Sequence, residues 1–339
     1  MLEVITQDLI SIVKNFDNEF QNSNVLVTGG AGFLGSWLCD ALVRLNANVL
    51  CLDNLSSGLT ENIGHLMEKD NFTFVNHDIS TPYLPKCDID IIFHFASRAS
   101  PFEFAKYPIQ ILKANTLGTL VALGIAKKYH ATMLYASTSE IYGNPDNGNI
   151  PTSENYNGNV NPIGLRSCYD ESKRAGEAFT IAYFLQHNLD IRIIRIFNTY
   201  GPRMRPGAIY GRVIPNFITQ ALSGKDITIF GDGTQTRSFA YVTDEIRGLL
   251  KASILPQCKG QVLNLGNNQE ITILELAQKI RALTNSKSSI TFRPLPIDDP
   301  IRRCPDIRKA KALLNWTPEI DLKTGLENTI AWYSSQKIT

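Results

Sequence analysis

Tyr169 stands four positions before Lys173 in the run "RSCYDESKR", residues 166–174. On a helix that spacing places a phenol and an ammonium one turn apart on one face, and the following Ala178, Ile181 and Ala182 suit a helix. Tyrosine ionises near pH ~10, so a tyrosyl base working near neutrality needs a shift of roughly 3 units, or about 4 kcal/mol. Two unit charges about 4 Å apart at an effective dielectric of ~20 supply about that much. The lysine, helped by a second positive group, would make Tyr169 a proton acceptor for a hydroxyl undergoing oxidation. The same spacing is common as surface decoration. What singles it out here is its position after a strand ending in "STSE" and after a nucleotide-binding pattern.

That pattern is "NVLVTGGAGFLGSWLCDALVRLNANVLCLDN", residues 24–54. It reads as a strand, a glycine-rich turn, a helix with Leu38, Ala41, Leu42 and Leu45 at helical spacing, and a second strand ending at Asp53. Gly29, Gly32 and Gly35 lack the Cβ atoms that would block a tight turn, a close pyrophosphate and close helix packing. The helix N-terminus then faces the phosphates. A carboxylate at Asp53 suits the adenosine ribose hydroxyls and repels a 2′-phosphate, which favours NAD over NADP; a solvated turn aspartate is the alternative. An oxidised nicotinamide is the second positive group that Tyr169 needs. Apolar strands over 72–79, 89–97, 131–143 and 190–201, separated by helical segments including about 108–129, predict an α/β fold. Its core is a Rossmann-type doubly wound parallel sheet. Asp78, Ser97, Ser137, Thr138, Glu140 and Asn198 fall at strand ends, where ligands of such sheets collect.

Composition narrows the partners. The 339 residues are 43% hydrophobic, enough for a sizeable core, and 33 basic against 32 acidic residues give a net charge of +1. Neither nucleic acid nor an acidic membrane surface is expected as a partner. The six cysteines lack a CxxC pair or other metal-ligand spacing, so reduced thiols, no metal and a cytoplasmic location are expected. Residues 1–22 place Ile5, Leu9, Ile12, Val13 and Phe16 at spacings of three and four, an amphipathic helix that docks on the body of the protein or meets a partner. Its Glu3, Asp8 and Asp17 argue against a signal peptide or membrane span.

The motifs "TGGAGFLG", "HFAS", "STSEIYG", "YDESK" and "FNTYGPR", in this order, resemble the extended short-chain dehydrogenase/reductase family, the NAD-dependent epimerases and dehydratases of nucleotide sugars. The resemblance covers about residues 24–333. "NPIGLRSCYDESKR", "GDGTQTRSFAYVTD" and "DDPIRRCPDIRKAKALLNWTP" are most similar to the UDP-glucuronate decarboxylases, or UDP-xylose synthases.

This resemblance implies an NAD site at Gly29, Gly32, Phe33, Leu34, Asp53, Asn54, Asp78, Ile79, Ser97, Tyr169, Lys173, Thr199 and Arg212. It implies substrate contacts at Lys113, Asn115, Asn198 and Arg237, the last pairing with the diphosphate, with Arg203 or Arg205 as alternatives. The implied catalytic set is Tyr169, Lys173, Thr138, Glu140 and Arg303, in a cycle of C4 oxidation, loss of CO2 and re-reduction. Arg303 handles the substrate carboxylate in this reading, or else forms a structural pair with Asp298 or Asp299. A homodimer and a pathway to surface polysaccharide also follow from resemblance alone.

The chain departs from the decarboxylase pattern at Arg98, at Leu165 and in a longer 201–213 loop, all near the expected substrate pocket, where Arg98 would meet an anionic group. A nucleotide-sugar 4-epimerase shares most of the site and stays open. A 4,6-dehydratase fits less well, because Ser139 stands where its acid would be. A silent NAD-binding subunit would be expected to lack the tyrosine or lysine. The domain expectation is the helix over 1–22, an NAD-binding domain over 23–195 and a smaller substrate-binding α/β domain over 196–339, with a crossing back near 242–253.

Overall fold

The computed structural model describes residues 3–206, 212–295 and 302–336. Helix α1 (Glu3–Val13) comes first. The chain then runs through β1 (Asn24–Thr28), α2 (Phe33–Arg44), β2 (Asn48–Asp53), β3 (Phe72–Asn76) and β4 (Ile91–His94). The short α3 (Pro101–Phe104) and the long α4 (Pro108–Tyr129) lead to β5 (Thr132–Thr138). Helix α5 (Ser167–His187) carries the tyrosine and lysine and feeds β6 (Ile191–Ile196).

The remaining chain is more broken. It runs through β7 (Thr199–Tyr200), α6 (Val213–Leu222), β8 (Ile227–Phe230), β9 (Thr236–Ser238) and β10 (Ala240–Tyr241). Next come α7 (Val242–Ile254), β11 (Gln261–Leu265), β12 (Glu270–Thr272), α8 (Ile273–Leu283), β13 (Ile290–Arg293) and β14 (Arg302–Arg303). Helices α9 (Arg308–Leu314) and α10 (Leu322–Ser335) close the described chain.

Seven strands form one parallel sheet in the order β11-β6-β5-β4-β1-β2-β3. Alternate side chains of a strand point to opposite faces, so a strand covered on both sides must be apolar throughout. In β1, Val25 and Val27 join the core shared with Leu42 of α2 and Leu249 of α7, while Leu26 joins Leu123 of α4 beneath the other face. Strand order reverses on either side of β1, where β4 and β2 are its neighbours. The crevice beyond the strand ends at such a reversal is where this architecture takes ligands.

Two features differ from the sequence expectation. The helix expected over 1–22 is confined to Glu3–Val13; beyond it, Phe16 and Phe20 are buried from turns. The helix itself docks on α2 and α7, burying Ile5, Leu9 and Ile12, and Tyr241 Oη donates to Asp8 Oδ2 at 2.5 Å. The returning segment also runs past 253, because β11 pairs with β6 as the seventh strand. Asp298 and Asp299, and residues 207–211 of the longer loop, lie outside the described residues.

Helix α4 has 22 residues and by length and composition alone would match a membrane span. Ala122, Leu123, Ile125 and Ala126 instead line the core under the sheet, leaving Ile109, Leu112 and Leu117 exposed on the outer side.

Candidate active site

The chain leaves β1 through Gly29 at φ +72°, a conformation that favours glycine. A Cβ there would sit 2.7 Å from the Ala96 nitrogen, and one on Gly35 would overlap the Gly29 carbonyl oxygen. Both glycines are therefore required by close approach, and the N-terminus of α2 is left open to the cleft with no side-chain cap on Gly32. A cleft of about 790 Å³ starts at this turn and continues across the ends of β2, β4, β5 and β6 to the small sheets of the C-terminal part.

Gly29, Gly32, Phe33, Leu34, Asp53, Asn54, Asp78, Ile79, Ser97, Tyr169, Lys173, Thr199 and Arg212 all line this one cleft. Asp53 accepts from the Leu55 nitrogen at 2.8 Å and the Ala31 nitrogen at 3.0 Å; burial raises its pKa while those bonds oppose the rise. Burial also works to raise Asp78, but hydrogen bonds from Ser80 and Asn54 outweigh it and hold the carboxyl below its ordinary value. Ser97 Oγ is buried without a hydrogen-bond partner among the described residues. An orphaned hydroxyl on the wall and a turn stripped of Cβ atoms both fit a dinucleotide, so these residues suit NAD.

Tyr169 and Lys173 lie one turn apart on α5, both buried. Their electrostatics differ from the sequence argument. Lys173 Nζ donates to the Ala136 carbonyl at 2.8 Å, and burial brings its pKa down to about 7, with Glu177 working the other way. Burial pushes Tyr169 up to about 12 despite a hydrogen bond with Thr138, and its ring stacks on Phe104 at 5.0 Å between centroids. Arg166 and Arg212 draw the tyrosine down, but by less than burial raises it.

Thr138 ends β5, and its hydroxyl accepts from the Glu140 nitrogen at 3.3 Å. Glu140 is ion-paired to Arg303 of β14 and to Arg166, which directly precedes α5. Arg303 therefore does not depend on Asp298 or Asp299 for a partner. Arg166 was not singled out from sequence; the available signal was an arginine three residues before Tyr169, which puts its side chain near the same cleft.

Among the expected substrate contacts, Lys113, Asn198 and Arg237 line the cleft. Asn115 does not: its Nδ2 donates to Ser172 Oγ at 2.8 Å, tying α4 to α5, and it is 1% exposed. A match at one position cannot show which face of a helix the residue takes. Arg98 already has an anion, Glu103, and lies over the Tyr107 ring at 4.3 Å. Arg203 also lines the cleft but is 5% exposed, with its guanidinium committed to Asp40 at 2.6 Å and stacked on Trp37. Arg205 donates to the Ser57 carbonyl at 3.1 Å on the rim.

Residues 25–266 match the model of the NAD dependent epimerase/dehydratase family. UDP-glucuronic acid decarboxylase 1 of Danio rerio is 46% identical over 321 residues, covering 95% of this chain and 75% of that protein. The structure of an epimerase from Methanothermobacter thermautotrophicus superposes with a TM-score of 0.84 at 31% identity, covering 98% and 96% of the two chains. UDP-glucuronic acid 4-epimerase from Bacillus cereus, solved with UDP-glucuronic acid and NAD, gives a TM-score of 0.80 at 29% identity, covering 92% and 99%.

Proposed function

Since the chain belongs to the NAD-dependent epimerase/dehydratase family, we propose that it is a UDP-glucuronate decarboxylase that forms UDP-xylose. The observation that carries this reading is the meeting in one cleft of Tyr169, Thr138 and Arg303: a base, an oxyanion donor and a cation able to meet a carboxylate. Relatedness to the zebrafish decarboxylase supports it.

Bound NAD supplies the hydride acceptor at C4 of the sugar and returns the hydride at the end. Tyr169 takes the proton of the C4 hydroxyl, leaving a ketone β to the C5 carboxylate. The bond from C5 to the carboxylate carbon then breaks, CO2 leaves, and the electron pair runs into the C4 carbonyl. The Tyr169 and Thr138 hydroxyls donate to the resulting oxyanion. Glu140 holds the water that protonates C5, and a solvent proton neutralises the hydroxide left, which is the one proton that the overall loss of CO2 consumes. Tyr169 finally returns its proton to the C4 oxygen. At the other end of the cleft, Arg237 suits the diphosphate, where a planar guanidinium donates two bonds.

The described part of α4 and α5 supports a homodimer: Leu117 of α4 and Leu185 of α5 are exposed outside the core. All six cysteines are free thiols, which supports a reducing, cytoplasmic setting. A 4-epimerase remains the second reading, because the Bacillus cereus neighbour was solved with UDP-glucuronic acid. Incubation with UDP-glucuronate and NAD, followed by mass spectrometry and proton NMR, separates the two. Loss of CO2 with a pentose product supports the decarboxylase; an unchanged mass with inverted C4 refutes it.

A further inference from the structure

Glu140 Oε1 meets Nη1 of Arg303, and Glu140 Oε2 meets Nη2 of Arg166, so each oxygen of one carboxylate has its own guanidinium. Neither arginine relies on Glu140 for its place. Arg303 is 6% exposed and donates from Nη2 to the Gly143 carbonyl at 3.1 Å. Arg166 Nε lies 3.7 Å from Asp170 Oδ2, and its guanidinium sits 5.7 Å from the Phe104 ring centroid. The fork is thus braced from behind by partners that stay when Glu140 leaves. It opens on the same cleft as Tyr169 and Thr138.

A hexuronic acid whose C4 hydroxyl meets Tyr169 carries its carboxylate on the adjacent carbon, toward this fork. With Glu140 in place, a second carboxylate would be buried against the first, and like charges at that range repel strongly in a partly desolvated site. Exchange avoids the cost: each arginine gives up one carboxylate oxygen and receives another.

We propose that Arg166 and Arg303 together are the receptor for the substrate carboxylate, that Glu140 is the internal carboxylate filling this receptor, and that substrate entry displaces it. Arg166 is then a specificity residue, and the displaced Glu140 is delivered beside C5, where a proton must be supplied once CO2 has left. The inference rests on UDP-glucuronate being the ligand.

The test is titration calorimetry of the NAD-loaded enzyme with UDP-glucuronate and with UDP-xylose, which lacks the carboxylate, alongside steady-state kinetics. Arg166→Gln is expected to raise Kd and KM for UDP-glucuronate by at least about tenfold and to leave UDP-xylose within about twofold, with Arg166→Lys between. Glu140→Gln removes the internal competitor, so it should bind UDP-glucuronate more tightly than the wild type while kcat falls. Equal weakening of both ligands by Arg166→Gln, or weaker UDP-glucuronate binding by Glu140→Gln, overturns the inference. If the wild type releases no CO2 yet shows these binding shifts, the reaction reading fails and the receptor stands. If it releases CO2 and Arg166→Gln keeps its KM, the receptor fails alone.

Discussion

Lys173 Nζ is fixed on the Ala136 carbonyl, 2.8 Å away, so the ammonium is anchored to the end of β5 rather than paired with Tyr169. Burial opposes the charged form of both groups: Tyr169 is pushed up to about 12, with Arg166 and Arg212 drawing it down, and Lys173 is brought down to about 7.

Tyr169→Phe should therefore lower kcat by about 10²–10⁴-fold, the usual worth of a positioned acid/base, while NAD still binds. Lys173→Met removes the nearby positive charge. Its residual activity should peak at a more alkaline pH than the wild type, because the tyrosine then ionises later. A pH–rate profile of both enzymes checks this; an unshifted profile would show that Lys173 does not act on the ionisation of Tyr169.

Asp53 presents its carboxylate to the cleft from backbone hydrogen bonds of Ala31 and Leu55. A 2′-phosphate brought beside it meets a buried negative charge, so NAD should be preferred over NADP by at least about tenfold. Asp53→Asn should narrow that preference from both sides, weakening NAD and improving NADP. Fluorescence titration with each dinucleotide measures it.

The two large elements of the site were legible in sequence for a local reason. The glycine turn and the Tyr169 and Lys173 pair each lie within a dozen residues of one another, so spacing alone places them. The Arg166, Glu140 and Arg303 cluster joins three segments whose ends lie 163 positions apart, and no periodicity links them. Asp8 and Tyr241 meet across 233 positions for the same reason. Asn115 shows the opposite failure: its place on α4 was legible, but its neighbour Ser172 on α5, which turns it from the cleft, was not. Six strands of the main sheet were readable from their apolar runs, whereas β11, broken by Gln261 and Asn264, was missed, and β10 and β14, two residues each, carry no pattern.

On the outer side of α4 and α5, Leu117 is 45% exposed and Leu185 75%. A second copy of the chain laid over these helices would cover both. Leu117→Glu combined with Leu185→Glu should convert a dimer into a monomer, since like charges would then face each other in an apolar contact. Sedimentation velocity reads the result directly, and a wild type that sediments as a monomer at micromolar concentration would sink the dimer.

Glu245, in the first turn of α7, is fully buried beneath the cleft floor, with Oε2 accepting from Thr199 Oγ1 at 3.2 Å and Oε1 without a partner among the described residues. Burial raises its pKa to about 8, the Thr199 bond opposes the rise, and the charge of Asp244 adds to it. A group whose folded pKa lies above its unfolded value holds its proton more tightly in the folded state. Its contribution to stability is fully present below the unfolded value and is lost as pH rises through the folded one. For Glu245 that window runs from its ordinary 4.5 to about 8. Glu245→Gln is neutral at every pH and escapes the loss. The variant's Tm should therefore gain on the wild type steadily from pH 5 up to about pH 8 and level off above it, whatever their difference at pH 5. Asp8 and Asp244 are also raised by burial but are present in both proteins, so their effects largely cancel in the comparison. Two melting curves that run parallel across this range would mean that Glu245 is already ionised at neutral pH, and that the unpartnered oxygen is satisfied by water.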